Sequence, residues 1–195
     1  MILLITSVLF LLVFLYVLIK HGKNPSKGGS LAPSKRFWLF YTLYTWFIFL
    51  PISLYEGYIG DAFYLSFLLL TVSMWLRAPI EVFMLLKTKN WTPPIGITHD
   101  LITLVLFCVP LFSLKSIEFT IESIFAFTLF LSLILETYYA YAFYKIVQDK
   151  TKGDEGIWFA NKENPEFRRI LQITTIFNYP LFLALLMMGY QYLIA

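Results

Sequence analysis

The chain has 195 residues, of which 59% are hydrophobic and 14% are charged. Soluble domains carry about 25% charged residues, so this composition excludes an ordinary soluble protein and indicates a membrane environment. The formal net charge of +3 gives no basic soluble face for a nucleic acid. Several membrane spans would use nearly the whole length, so residues 1–195 are expected to form a single transmembrane domain.

Long apolar runs recur along the whole chain. A membrane-spanning helix needs roughly 20 mainly apolar residues. The runs predict an all-α bundle of six transmembrane helices at about 2–19, 37–55, 62–86, 98–114, 117–147 and 170–194. The first run has no basic start and is too long for the apolar core of a signal peptide, so it is expected to be retained. Prolines within the spans are tolerated where neighbouring helices satisfy the freed carbonyls.

The placement of the basic residues predicts the orientation. Thirteen of the fifteen Lys and Arg residues lie in the first, third and fifth loops or at the span ends beside them. Under the positive-inside rule these three loops are cytoplasmic. We therefore expect a multi-pass protein with both termini on the non-cytoplasmic side, surrounded by membrane lipids.

The third span contains the sequence Arg77-Ala78-Pro79-Ile80-Glu81. Arg77 and Glu81 are four residues apart and share one helical face. Ionisable groups at this depth cost roughly 2.5 to 3.5 kcal/mol each and therefore need partners. Glu136 of the fifth span lies at a similar estimated depth and is a second candidate partner for Arg77. The pattern predicts an intramembrane ion pair, which either locks a kinked helix or forms part of a binding or relay site.

Further polar residues lie near the predicted cytoplasmic ends of the spans. Thr98 or Asp100 is expected to cap the fourth helix. His99 beside Asp100 could also act as an oriented general base. Tyr139 belongs to a tyrosine run after Glu136, which is typical of an interfacial belt but could also line a pocket.

The sequence offers few metal ligands. Cys108 is the single cysteine, and His21 and His99 are the two histidines. A cysteine-based site is therefore excluded, and no carboxylate cluster replaces it, so we predict no metal site. No cofactor can be assigned from the residues.

The last third of the chain carries a resemblance. It runs from Tyr144 through Asn164-Pro165-Glu166-Phe167-Arg168-Arg169 and Gln172 to Asn178-Tyr179-Pro180. This stretch of about 50 residues resembles the first hairpin of the membrane-associated eicosanoid and glutathione metabolism family. The resemblance implies four-helix subunits in trimers, with glutathione bound between subunits on the cytoplasmic side. In that comparison Glu166 and Gln172 match a glutamate and a glutamine of the family, whereas Ile170, Thr174 and Phe177 stand at its arginine, asparagine and second acidic positions.

These features lead to one functional hypothesis and two alternatives. The first is a protein that binds a small or amphipathic, lipid-like ligand in a cytoplasm-facing polar pocket, and that could be a lipid- or thiol-modifying enzyme. Its expected ligand contacts are Arg77, Glu81, Glu136, Tyr139, His99, Asp100, Arg169, Gln172 and Asn178. The alternatives are a transporter or channel in which Glu81 and Glu136 carry a proton or cation, and a non-catalytic subunit of a larger membrane complex. A homo-oligomer or a membrane-complex partner is compatible with each.

Overall fold

The computed structural model describes residues 1–22, 40–83, 93–114, 116–147 and 165–194. Helices account for nearly all of this part of the chain, and no β-strand occurs in it. The all-α prediction is therefore confirmed. The helices are α1 (Ile2–Gly22), α2 (Phe40–Tyr55), α3 (Asp61–Phe83), α4 (Pro93–Leu111), α5 (Ile121–Val147) and α6 (Pro165–Ile194).

Three helices are long and apolar enough to cross a membrane, judged on the described residues. They are Asp61–Ile80 of α3, Pro94–Leu111 of α4 and Ile121–Tyr138 of α5. The apolar stretches Ile2–Tyr16 and Phe40–Tyr55 are shorter. The composition and these three helices together indicate a membrane protein.

Three helix starts differ clearly from the sequence prediction, and one of them is that of α6, which begins at Pro165 and not at 170. Helix α4 begins at Pro93, five residues before the predicted start. Proline suits the first turn because its missing N–H has no intrahelical partner there. Thr98 and Asp100 consequently lie inside α4, and the prediction that one of them caps it is wrong.

Helix α5 begins later than predicted, at Ile121. The side chain of Thr120 accepts a hydrogen bond from the Ser123 backbone N–H, and the Ser123 hydroxyl accepts one from the Thr120 N–H. This reciprocal pair is a capping box, and it fixes where the helix starts. Residues 116–120 are accordingly not helical.

The helices pack around an aromatic core. Phe67 of α3 lies between Phe107 of α4 and Phe125 of α5, with ring centroids 5.8 and 5.7 Å away. Phe49 of α2 contacts Phe125 edge-on and stacks against Tyr192 of α6. These rings join five helices, α2 to α6, in one aromatic cluster. Aromatic pairs of this kind contribute about 0.5–1.5 kcal/mol each beyond the area that they bury.

Helix α2 contains a wide turn that Pro51 explains. Residues Thr45–Phe49 are π-helical, and the Leu50 N–H bonds to the Thr45 carbonyl five residues back. Pro51 has no N–H, so it cannot donate to the carbonyl of Phe47, four residues before it, or to that of Trp46, five residues before it. Both carbonyls lie in a buried segment.

Side chains of two other helices donate to these carbonyls. The Ser7 hydroxyl of α1 donates to the Phe47 carbonyl, and the Trp75 indole N–H of α3 donates to the Trp46 carbonyl over 3.2 Å. The Trp75 ring also stacks on Phe10 of α1, with centroids 6.0 Å apart. The general expectation that neighbours satisfy proline-freed carbonyls is thus met at Pro51. The wide turn fixes how α1, α2 and α3 fit together.

We expect Ser7→Ala to destabilise the protein by about 1–2 kcal/mol, because it leaves the buried Phe47 carbonyl without its side-chain donor. Urea-dependent or thermal unfolding in a fixed detergent would measure the loss. The matched control is Ser66→Ala on α3. Ser66 is fully buried, and its hydroxyl has no hydrogen-bond partner within the described residues. Its removal should leave stability unchanged or raise it, and equal losses for the two variants would contradict this account of the wide turn.

Candidate functional site

A polar cluster lies between α3 and α4. Arg77 donates from Nη1 to the Asp100 carboxylate at 3.0 Å and to the Gly96 carbonyl at 3.1 Å. Arg77 and Asp100 form an ion pair whose side chains are 18% and 20% exposed. The pair is therefore largely withdrawn from the surface of the bundle but is not sealed inside it.

His99 completes the charged part of the cluster. It is 8% exposed, and its Nε2 lies 2.9 Å from the Ser73 carbonyl. A carbonyl only accepts hydrogen bonds, so Nε2 carries the proton and donates it. The other ring nitrogen, Nδ1, lies 3.4 Å from Arg77 Nη1 and 3.3 Å from Asp100 Oδ1. In the neutral ring Nδ1 is an acceptor, and Arg77 is the neighbour that can donate to it.

Two hydroxyls extend the cluster along the same seam. Ser73 on α3 and Thr103 on α4 are buried and hydrogen-bonded to each other. Each is thereby satisfied across the helix interface. The polar seam thus extends from Arg77 about one helical turn toward the N-terminus of α3, to Ser73.

Helical spacing explains why these residues meet. Ser73 and Arg77 are four residues apart on α3 and share a face. On α4, Gly96, His99 and Thr103 follow spacings of three and four and also share a face. The early start of α4 at Pro93 carries this face down to the level of Arg77.

The structure brings three of the predicted ligand contacts together, namely Arg77, His99 and Asp100. The side chains of Glu81, Tyr139 and Arg169 lie outside the described residues, although their backbones belong to α3, α5 and α6. The ion pair predicted between Arg77 and Glu81 consequently stays a prediction.

Three further predicted contacts lie on α5 and α6. Glu136 of α5 is partly buried, and its carboxylate interacts electrostatically with the buried Tyr41 of α2. On α6, Asn178 is partly buried and Gln172 is exposed. The pairing of Glu136 with Arg77 stays a prediction.

Gly96 and Thr103 belong to the cluster but were not predicted from the sequence. Gly96 contributes only its carbonyl, which no side-chain pattern can reveal. Thr103 lies four residues after His99, and that spacing was a usable signal. Among the described residues, no group of three or more His, Cys, Asp or Glu side chains is arranged to hold a metal ion.

Comparison with known proteins gives no relative. The chain matches no protein-family model, no curated protein and no solved structure at a significant level. Functional inference therefore depends on the residues of the cluster themselves.

The ion pair makes a testable contribution to stability. We expect Asp100→Leu to destabilise the protein by about 2 kcal/mol or more, because Arg77 then loses its described counter-charge in a mainly apolar seam. The double variant Arg77→Met/Asp100→Leu should recover most of that loss, because both charges are replaced by apolar groups of similar size. A double-mutant cycle on thermal unfolding measures the coupling. Additive losses from Arg77→Met and Asp100→Leu would show that the pair contributes nothing.

Proposed function

We propose that this chain is a six-span integral membrane protein that binds a small amphipathic, lipid-like ligand. The binding site is a polar pocket at the α3–α4 seam that opens toward the cytoplasm, and both termini lie on the opposite side. The observation that carries the proposal is the cluster of Arg77, His99 and Asp100 between two apolar helices.

The energetic cost of the cluster supports a binding role. An ion pair taken out of water is commonly no more stable than two apolar side chains of the same size. Helix packing alone therefore does not require Arg77 and Asp100 at this place. Ionisable residues within transmembrane segments commonly mark ligand or ion pathways. The exposed fifth of each side chain leaves a way for a polar headgroup to reach the pair.

The helices around the cluster suit the apolar part of such a ligand. Leu76 and Leu101 directly adjoin Arg77 and Asp100 in the chain and are 51% and 49% exposed. A polar centre bordered by exposed aliphatic side chains matches a molecule with a small polar head and an apolar body. In this proposal Glu81, Glu136, Tyr139, Arg169, Gln172 and Asn178 form the remainder of the pocket.

The topology is tested by cysteine accessibility. Cys108→Ala removes the single cysteine, and Asn24→Cys and Glu118→Cys then add one in the first and fourth loops. In intact cells, a membrane-impermeant maleimide added to the medium should label position 118 and not position 24. The reverse pattern would contradict the proposed orientation, and labelling of both positions from one side would contradict the span count.

The ligand is tested by native mass spectrometry of the gently solubilised protein. The wild type should retain a bound lipid-like molecule. Arg77→Met/Asp100→Leu should lose it while remaining folded, because this variant removes the polar centre without leaving an unpaired charge. Lipid occupancy relative to the apo peak is the measurement.

Glu118→Gln provides the matched control, because Glu118 is exposed and lies outside the seam. It should keep the occupancy of the wild type. If the double variant keeps its ligand as well, the molecule binds elsewhere and the proposed site is wrong.

A further inference from the structure

The atoms of Asp100 show which chemistry faces a ligand at the seam. Both contacts of its carboxylate run through one oxygen, Oδ1, which lies 3.0 Å from Arg77 Nη1 and 3.3 Å from His99 Nδ1. Within the described part of the chain, no hydrogen bond or ion pair reaches Oδ2. A carboxylate offers acceptor positions on both oxygens. Oδ2 is therefore a strong acceptor without a described partner, and it belongs to a side chain that is one-fifth exposed.

The donors beside Asp100 that the structure describes, on Arg77 and His99, are directed at acceptors inside the seam. Arg77 Nη1 is directed at three acceptors inside the seam, on Gly96, His99 and Asp100. The Nε2 proton of His99 is directed at the Ser73 carbonyl, and the ring is buried. Asp100 Oδ2, an acceptor with no described partner, is thus the atom of the cluster to which a ligand can bind, and its natural complement is a donor on the ligand.

The charges select among donors. An anionic headgroup, such as a carboxylate or phosphate, would be attracted by Arg77 but repelled by Asp100, whose Oδ2 is the oxygen without a described partner. An ammonium group would be attracted by Asp100 but repelled by Arg77, which lies against the same carboxylate. A neutral hydroxyl donates to Oδ2 and meets neither repulsion. In a seam of low dielectric these differences weigh more than they would in water.

We infer that the ligand of this site is a neutral amphipathic alcohol, whose hydroxyl donates to Asp100 Oδ2 while its apolar body lies along α3 and α4. The inference rests on the proposed function, which it narrows to one class of ligand. The hydroxyl is held by a charge-assisted hydrogen bond, which is about twice as strong as a neutral one. Arg77 acts as a positioning residue, because it donates to Oδ1 and so orients Oδ2.

The test uses four photoactivatable probes that share one long alkyl chain with a diazirine and differ only in the head. The heads are a hydroxyl, its methyl ether, a carboxylate and an amine. The ether accepts hydrogen bonds but cannot donate, so it is the matched control for the alcohol. Full-length protein in nanodiscs is irradiated with each probe, and labelled peptides of α3 and α4 are quantified by mass spectrometry.

The alcohol should label the seam at least about tenfold more than the ether, because a hydrogen bond to a charged group contributes about 1.5 kcal/mol or more. Asp100→Asn sharpens the test. Arg77 donates to the oxygen of the new amide, so the amide NH₂ takes the place of Oδ2 and the ligand-facing atom becomes a donor. The preference for alcohol over ether should then fall below about twofold, and labelling by the carboxylate should rise.

Each outcome decides a separate point. Equal labelling by alcohol and ether in the wild type, or strongest labelling by the carboxylate or the amine, overturns the inferred class and leaves the binding site standing. Should no probe label the seam above the lipid-facing surface of α4, the proposed function fails with it. If Asp100→Asn unfolds, Arg77→Met/Asp100→Leu takes its place, and undiminished alcohol labelling in that variant would equally refute the role of Oδ2.

Discussion

The fit of the first three helices depends on two carbonyls that Pro51 leaves without backbone donors. In a lipid environment no water can reach such groups, and each unsatisfied one costs several kcal/mol. The Phe47 carbonyl receives the Ser7 hydroxyl, and the Trp46 carbonyl receives the Trp75 indole. Because these donors belong to α1 and α3, the backbone of α2 can be satisfied only when all three helices are in place. A local defect in one helix thereby becomes a specific constraint on tertiary structure.

The same requirement shapes the seam between α3 and α4. Arg77 lies in a membrane-compatible helix and must find acceptors within the protein. It finds them on the first two turns of α4, at the Gly96 carbonyl and the Asp100 carboxylate. Pro93 and Pro94 allow α4 to begin early enough to present these acceptors. The ion pair therefore depends on where α4 starts.

The sequence predicted the helical class and the importance of Arg77, but it did not predict which residue pairs with Arg77 across the seam. Local geometry suggested Glu81, four residues away, and estimated depth suggested Glu136. The partner that the structure shows, Asp100, was instead assigned to a helix cap, because the two prolines were interpreted as loop. Partners on another helix depend on the register between helices, and that register shifts with each error in a helix boundary. His99 and Asp100 were singled out because polar residues are rare in so apolar a chain, and the structure places both against Arg77.

Ser7 shows where more could have been predicted. A serine in an apolar run carries no signal by itself. Pro51, however, identifies Phe47 as a residue whose carbonyl needs a donor, and Thr6 and Ser7 are the two hydroxyl-bearing residues of the first predicted span outside its aromatic positions. The need was visible in the sequence, whereas the pairing required knowledge that α1 packs against α2. A proline in an apolar run thus identifies a carbonyl that needs a tertiary hydrogen bond, but it does not identify the residue that donates it.

The two polar places, around Pro51 and around Arg77, differ in how fully their polar atoms are satisfied. Around Pro51 both freed carbonyls have donors, and Ser7 and Trp75 are 1% and 4% exposed. At the other place, the side chains of Arg77 and Asp100 are each about one-fifth exposed, and Asp100 retains an oxygen that no described group contacts. A network that serves packing alone gains nothing from an accessible, unsatisfied carboxylate oxygen, because that atom has been partly desolvated without compensation. Under the proposed function, a ligand at the seam supplies the hydrogen bond that Asp100 Oδ2 lacks among the described residues.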